Sequence, residues 1–221
     1  MKAMILAAGR GERLRPLTDE LPKPLLSVGG RPIIEYTIES LVSSGFSEII
    51  INLAYLGEKI ESALGNGERF DVRIKYSYEG QTGLETAGGI IHALPLLGSG
   101  PFLVVNGDIA TDFKFDGLGI LTSKLAHLVL VPNPPQHRDG DFSLVDGAVS
   151  YKGTEFYTYS GIGVYRPEFF AACDQRYFPL APLLRQAMDK QAVTGQLYEG
   201  YWMDIGTIVR LRSVDRRMAL L

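Results

Sequence analysis

The stretch that decides the fold runs from Met4 to Pro24 and reads MILAAGRGERLRPLTDELPKP. It starts within an apolar run, residues 3–8, whose length and composition predict a buried β-strand. The strand opens into Gly9-Arg10-Gly11, where two glycines let the backbone turn tightly and bring its N–H groups close to a ligand. Fixed cations follow at Arg13, Arg15 and Lys23. A strand that ends in a glycine turn carrying cations suits a polyphosphate site.

Two common phosphate-binding motifs do not describe this loop. A Walker A loop needs Gly-Lys-Ser or Gly-Lys-Thr, which the chain lacks. The dinucleotide fingerprint needs a third glycine, and Leu14 stands at that place. Pro16 and the block Pro22-Lys23-Pro24 predict an irregular segment after the loop, not a helix. Taken alone, the loop also fits an arginine-rich surface connection after a strand.

The composition is that of a globular protein with a full core, since 46% of the 221 residues are hydrophobic and 21% are charged. The net charge of −3 creates no global field that attracts nucleic acid or an anionic membrane, so neither is expected as a partner. The single cysteine, Cys173, excludes an intrachain disulfide. The first apolar run is shorter than a signal peptide's hydrophobic segment or a membrane span. These features predict a cytoplasmic protein and leave its oligomeric state open.

Strand and helix patterns alternate through the first half of the chain. After the first strand, strands are predicted at 48–53, 72–78 and 101–105. Helices are predicted from Pro32 to Gly45, over 56–64 and over 87–97. This β-α-β-α order predicts an α/β fold, with a mostly parallel sheet and helices on both of its faces.

The second half has a more antiparallel pattern. Strands are predicted at 126–131, 141–145, 148–152 and 157–165, and Asp146-Gly147 predicts a hairpin turn. Helices are predicted to start at Pro167, at Ala181-Pro182 and at Thr207. Because no linker or internal repeat interrupts the chain, residues 1–221 are expected to form a single domain.

Two aspartates are candidate metal ligands. Asp108 follows an apolar strand and Asn106-Gly107, and ligands of parallel sheets bind beyond the carboxyl ends of the strands. A carboxylate there holds a hard cation such as Mg²⁺ through oxygen. The second candidate, Asp204, lies in the segment 202–207, WMDIGT. Each aspartate alone also fits a helix or loop cap.

Together these motifs resemble the sugar-1-phosphate nucleotidylyltransferases. The loop 6–13, LAAGRGER, is similar to that family's triphosphate loop, and Lys23 matches the lysine of its Pro-Lys-Pro. The family holds its catalytic Mg²⁺ between an aspartate after the central strand and one in a Trp-x-Asp-x-Gly-Thr segment. The resemblance therefore implies Asp108 and Asp204 as metal ligands. It also implies a three-layer, Rossmann-like nucleotidyltransferase fold with a mixed, mostly parallel central sheet.

The resemblance also implies the other site residues by position. Nucleotide contacts are expected from Ala7, Ala8, Gly9, Arg10, Gly11, Arg13, Arg15, Lys23, Glu79, Gln81 and Gly83. Sugar contacts are expected from Thr86, Asn106, Gly140, Ser160 and Gly161. The catalytic residues would be Lys23 at the α-phosphate, Arg13 at the departing phosphates and Asp108 at the metal. No general base is needed, because the attacking sugar phosphate is already ionised.

Within the family, the chain resembles the uridylyltransferases that act on N-acetylmuramic acid 1-phosphate in peptidoglycan recycling. The segments that carry this likeness are 84–86, 131–137, 140–142 and 180–187. The implied reaction is Mg²⁺-dependent transfer from UTP to the sugar 1-phosphate, with release of pyrophosphate. The alternatives are a glucose-1-phosphate or mannose-1-phosphate nucleotidylyltransferase using dTTP or GTP, or a non-catalytic regulatory protein that binds nucleotide sugars. A dinucleotide-dependent oxidoreductase would need an acidic residue after the second strand, where Asn52-Leu53-Ala54 stands instead.

Overall fold

The computed structural model of the chain describes residues 1–119, 123–171, 173 and 177–219. Its strands are β1 (Lys2–Leu6), β2 (Ser27–Val28), β3 (Arg31–Pro32), β4 (Glu48–Leu53), β5 (Arg73–Tyr78), β6 (Phe102–Asn106), β7 (Ile109–Thr111), β8 (Ala126–Val131), β9 (Ser143–Val145), β10 (Ala148–Ser150), β11 (Thr158–Tyr165), β12 (Val193–Leu197) and β13 (Trp202–Asp204). Its α-helices are α1 (Leu17–Glu20), α2 (Ile33–Ser43), α3 (Gly57–Leu64), α4 (Glu85–Leu97), α5 (Leu180–Asp189) and α6 (Ile208–Met218).

Nine of these strands form the central sheet, in the order β5-β4-β1-β6-β11-β8-β12-β10-β9. The strands β5, β4, β1 and β6 are parallel neighbours, and β12 is parallel to β8. In the described sheet, only β10 and β11 run against the common direction. The predicted mixed, mostly parallel sheet is therefore confirmed.

Side chains of successive strand residues point to opposite faces of this sheet and bury two separate cores. In β4, Ile49 and Ile51 face the core formed with α2 and α3, whereas Ile50 faces the core formed with α4 and α5. Both faces are thus covered by helices, which is why the central strands are apolar throughout. The result is the predicted three-layer α/β arrangement.

The order of the parallel strands locates the functional edge of the sheet. From β1 the chain proceeds to β4 and β5 on one side and returns to β6 on the other. The carboxyl end of β1 is therefore a topological switch point, where loops diverge and leave a crevice. Register places Asn52 and Asn106 on either side of Leu6 at this edge.

The predicted elements lie within two residues of the observed bounds, with a few differences. The helix expected at Pro167 is a single 3-10 turn, Pro167–Phe170. The segment after the glycine loop contains a 3-10 turn, Glu12–Leu14, and the short helix α1, where an irregular course was predicted. The strands β2, β3, β7, β12 and β13 were not predicted. Four of them have only two or three residues, too few for a periodic signal, and β12 contains Gly195.

Candidate active site

A cleft of about 730 Å³ opens at the carboxyl ends of β1, β4 and β6. Its wall includes twelve of the residues predicted for the site: Ala7, Ala8, Gly9, Arg10, Gly11, Arg13, Lys23, Glu79, Gly83, Thr86, Asn106 and Asp108. Segments far apart in sequence thus meet at the switch point of the sheet. The volume is in the range of small-molecule sites in proteins.

The glycine loop is held in shape by its own backbone. Gly11 has φ = 66°, a left-handed conformation that glycine adopts without a Cβ penalty. Its carbonyl accepts hydrogen bonds from the Leu14 N–H at 2.8 Å and from the buried Thr18 hydroxyl at 2.9 Å. Leu14 is fully buried, so the turn is anchored in the core beside α6. The turn that follows the loop is therefore anchored to the core.

Gly9 differs from Gly11 and yields a test of the loop. Its φ lies outside the left-handed region, and an added Cβ would meet no protein atom within 4 Å. We expect Gly9→Ala to leave the unfolding temperature within ~2 °C of the parent and to raise the nucleotide KM about tenfold, because the methyl group keeps the ligand from the backbone N–H groups. The matched control is Gly100→Ala, which also meets no atom within 4 Å and lies outside the cleft. Equal nucleotide KM values for the two variants would contradict a ligand-binding role of the loop.

Lys23 and Asp108 form an ion pair across the cleft, through Lys23 Nζ and Asp108 Oδ2. Lys23 begins a 3-10 turn, Lys23–Leu25, that is closed by the Leu25 N–H donating to the Pro22 carbonyl at 2.9 Å. The lysine side chain is only 11% exposed and that of the aspartate 29%. A cation so enclosed keeps a fixed position and is screened weakly by solvent.

Asp204 lies beside Asp108 because β13 pairs with β7 in antiparallel register, Asp204 opposite Ile109. The Ile205 N–H also donates to the Asp108 carbonyl at 2.7 Å. One oxygen of Asp204 pairs with Arg210 Nη2 at 3.0 Å, and the other accepts from Gln136 Nε2 at 3.0 Å. Asp204 is not in the wall of the cleft, but Gly206, two residues later, is.

The donor set at this point suits Mg²⁺. It offers two carboxylates on adjoining segments, at a cleft large enough for phosphate groups. Across the described ranges, no group of three or more His, Cys, Asp or Glu side chains could hold a metal. Mg²⁺ is commonly bound by one or two carboxylates together with substrate phosphates and water, so two protein ligands are enough.

Arg210 lies at the site as well, and the sequence analysis did not identify it. An added Cβ on Gly206 would collide with an Arg210 Nη2 nitrogen and come within 3.0 Å of both Arg13 Nη2 and Asp204 Oδ2. Three charged groups therefore surround the space that this glycine leaves free. The Nε atom of Arg210 is buried and has no hydrogen-bond partner among the described residues. No local motif marks Arg210, whose side chain reaches the site from the first turn of α6, where Thr207 caps the helix.

The far end of the cleft is built around a buried carboxylate. Glu79 accepts a hydrogen bond from Asn52 Nδ2 at 2.6 Å through one oxygen and from the Leu84 N–H at 2.7 Å through the other. Asn52 Oδ1 in turn accepts from the Ala7 N–H at 2.7 Å. Burial raises the pKa of Glu79, while the hydrogen bonds from Asn52 and Leu84 and the nearby His92 act in the opposite direction.

Three of the residues predicted to bind the sugar do not line the cleft, and one of them, Gly161, packs against a residue that does. Gly161 (φ = 80°) lies at an irregularity of β11 and packs so closely on Asn106 that any side chain would collide. The Ser160 hydroxyl donates to the Val129 carbonyl at 2.6 Å. Gly140 packs against the Asn133 side chain. Of the five predicted sugar residues, Thr86 and Asn106 line the cleft itself.

Two of the predicted nucleotide residues also lie outside the wall. Arg15 forms an ion pair with Asp19 at 3.0 Å and is largely exposed. Gln81 is exposed in the loop between β5 and α4. Tyr177 and Glu85 also line the cleft, which the sequence analysis did not predict. The Tyr177 hydroxyl donates a hydrogen bond to Glu85 at 2.8 Å.

No helix of the described chain is long and apolar enough to cross a membrane.

Comparison with known proteins supplies the family. The family model described as "Nucleotidyl transferase" matches residues 2–145. The chain is 53% identical to the N-acetylmuramate alpha-1-phosphate uridylyltransferase of Neisseria meningitidis serogroup B, with 97% of each chain covered. It is 32% identical to the protein of the same name from Caulobacter vibrioides, over 98% of this chain and 96% of that one. A mannose-1-phosphate guanyltransferase from Aspergillus oryzae is 34% identical, over 93% of this chain and 61% of the longer relative.

Solved structures agree on the fold. A Bacillus anthracis protein described as a glucose-1-phosphate thymidylyltransferase, in complex with sucrose, superposes with a TM-score of 0.88, at 21% identity and with 100% and 96% of the two chains covered. The inositol-1-phosphate CTP transferase of T. maritima gives a TM-score of 0.76 at 18% identity, covering 98% and 95%. With this fold, a glycine loop at its switch point and near-full-length relatives, the chain belongs to the nucleotidyl transferase family.

Proposed function

We propose that this protein transfers the uridylyl group of UTP to N-acetylmuramic acid 1-phosphate, giving UDP-N-acetylmuramic acid and pyrophosphate. One observation carries the proposal. The glycine loop, Lys23, Arg13 and Asp108 converge on one cleft, in a chain 53% identical to a uridylyltransferase for that sugar phosphate. The same relationship supports a place in peptidoglycan recycling, and the single cysteine supports a reducing compartment such as the cytoplasm.

In the proposed reaction, an oxygen of the sugar phosphate attacks the α-phosphorus of UTP. A new P–O bond forms, the bond between the α-phosphorus and its bridging oxygen breaks, and the electron pair leaves with pyrophosphate. The attacking oxygen is already ionised near pH 7, and none of the described wall residues is a histidine. The obstacle is repulsion between two anions, so positioning and charge neutralisation supply most of the acceleration.

The charged residues divide this task by position. Lys23, enclosed and fixed, would stabilise the negative charge that develops at the α-phosphate. Arg13 would hold the β- and γ-phosphates, with Arg10 beside it at the cleft wall, while the N–H groups of the glycine loop donate to phosphate oxygens. Arg15 would need to leave Asp19 to assist them.

We place Mg²⁺ on Asp108 and Asp204. When bound, the ion would add positive charge between the two phosphate groups and align them. Asp108 and Asp204 would hold the ion through carboxylate oxygens, and Lys23 lies beside Asp108. Asp204 would keep its contacts with Arg210 and Gln136, which orient its carboxylate.

The base would lie between the glycine loop and residues 79–84, with Gln81 and Gly83 as contacts, while Glu79 would hold this loop through the hydrogen bond from the Leu84 N–H. An added Cβ at Gly83 would be 3.7 Å from the Ala8 carbonyl, so these loops approach closely. The sugar would lie on the side of Thr86 and Asn106. Of the other sugar candidates, Gly161 would shape this side through its packing on Asn106, while Gly140 and Ser160 lie outside the wall.

The test of the proposal is a panel of pyrophosphate-release measurements. UTP, dTTP, CTP and GTP are combined with N-acetylmuramic acid 1-phosphate, N-acetylglucosamine 1-phosphate, glucose 1-phosphate and mannose 1-phosphate. We expect the highest kcat/KM for UTP with N-acetylmuramic acid 1-phosphate, and some use of dTTP, because one methyl group supports only ~10–200-fold discrimination. A tenfold or larger preference for another sugar would overturn the substrate and leave the broader family activity.

A further inference from the structure

The buried pair Asn52–Glu79 connects two loops at the end of the cleft that we propose for the base. Asn52 is the last but one residue of β4 and is 3% exposed, and Glu79 follows β5 and is 9% exposed. Their partners are the Ala7 N–H at the start of the glycine loop and the Leu84 N–H just before α4. One chain of hydrogen bonds therefore joins the loop proposed for phosphate to the loop proposed for the base.

Two backbone N–H groups determine the direction of these hydrogen bonds. The Ala7 N–H only donates, so Asn52 must present its oxygen to Ala7 and its NH₂ group to Glu79. The Leu84 N–H also only donates, so the second oxygen of Glu79 must accept. Both oxygens of Glu79 are thus engaged by the protein, and no Lys or Arg of the described chain forms an ion pair with this carboxylate.

A glycine in the interior of α4 makes room for this carboxylate. An added Cβ on Gly89 would collide with Glu79 Oε1 and come within 3.0 Å of Asn52 Nδ2. Glycine is unfavourable inside a helix, so its presence is explained by the space that Glu79 needs. The helix, the glycine loop and the base loop are all built around the same two side chains.

We propose that Asn52 and Glu79 are positioning residues that set the separation of the glycine loop and the loop 79–84, and with it the affinity for the nucleotide. Their contribution is the direction of the hydrogen bonds, because Asn52 accepts from the Ala7 N–H and Glu79 accepts from the Leu84 N–H. This inference rests on the proposed function only in taking the cleft as the nucleotide site.

The structure offers an exchange that tests this directly. In Glu79→Gln, an NH₂ group faces either the Asn52 NH₂ group or the Leu84 N–H, so one buried donor loses its acceptor. In Asn52→Asp, two carboxylates face each other. The double variant exchanges the two functional groups: the new carboxylate accepts from Ala7 and from the new amide, and the amide oxygen accepts from Leu84. All three hydrogen bonds are thereby restored with the same total charge.

Nucleotide affinity is measured by calorimetry without sugar phosphate, using whichever of UTP, dTTP, CTP and GTP binds the parent most tightly. We expect each single variant to weaken binding about tenfold or more and the double variant to return within about threefold of the parent. In turnover assays the KM for nucleotide should follow this pattern, while the KM for the sugar phosphate stays within about twofold. Glu58→Gln, at an exposed position of α3, is the matched control and should bind as the parent does.

The outcomes separate the two proposals. If the parent binds a nucleotide other than UTP most tightly, the proposed substrate is wrong and the positioning test proceeds with that nucleotide. If a single variant does not fold, a double variant that folds and binds still supports the inference. Single variants that bind like the parent overturn it. So does a double variant that stays weak or fails to fold, since Glu79 would then act through direct contact or its own charge.

Discussion

Asp108→Asn and Asp204→Asn should each lower turnover by about 10²-fold or more, because each removes a charged ligand from the proposed Mg²⁺ site. Asparagine keeps the size of the side chain and one acceptor oxygen, so the unfolding temperature is expected to stay within ~5 °C of the parent. The measurement is kcat as a function of Mg²⁺ concentration, together with thermal unfolding. Both variants should need more Mg²⁺ for half-maximal turnover.

This dependence on Mg²⁺ separates metal binding from the other contacts of the two carboxylates. Asp108 also pairs with Lys23, and Asp204 with Arg210, so a loss of turnover alone would be ambiguous. Asp189→Asn is the matched control, since Asp189 contacts Tyr151 and Lys152 away from the cleft. Near-parental turnover at limiting Mg²⁺ in either active-site variant would remove that aspartate from the metal site.

The second large effect is expected from Lys23, and it should differ in kind from that of Arg13. Lys23→Ala removes an enclosed cation whose charge would act mainly in the transition state, so kcat is expected to fall ~10²-fold with a smaller change in nucleotide KM. Arg13→Ala removes a contact with the phosphates that would be made equally in the ground state and in the transition state. Its nucleotide KM is expected to rise ~10-fold or more, with a smaller change in kcat.

Steady-state kinetics with varied UTP measures this division. Lys152→Ala serves as the control for loss of a lysine, because Lys152 is exposed and pairs with Asp189 far from the cleft. If both active-site variants showed the same split between kcat and KM, Lys23 and Arg13 would share one role and the assignment of separate phosphates would fail.

A structural feature could be predicted from the sequence when the residues that determine it lie within a few positions of one another. The alternation of strands and helices was readable because strand and helix periodicity, proline and glycine act within a few residues. The glycine loop could be predicted for the same reason, since Gly11 and Leu14 close their turn within four residues. The 3-10 turn at Pro167 shows the limit, because proline favours the start of a helix but does not make it continue.

Proximity between distant segments lay beyond any local pattern. Asp108 and Asp204 are adjacent because β7 and β13, three residues each, happen to pair in one register. The resemblance to a family named both aspartates, but no local pattern showed how they meet, or that Arg210 and Gln136 hold the second one.

The amino-acid order therefore determined most of the elements, the glycine loop and the family. Folding decided which candidates share a cleft: Lys23 lies there against Asp108, whereas Arg15 and Gln81 do not line it. It also turned Glu79 from a surface-loop residue into a buried carboxylate with two donors. The physical reason is that propensities act along the chain within a few residues, while sheet order and register bring together groups that no short window of sequence contains.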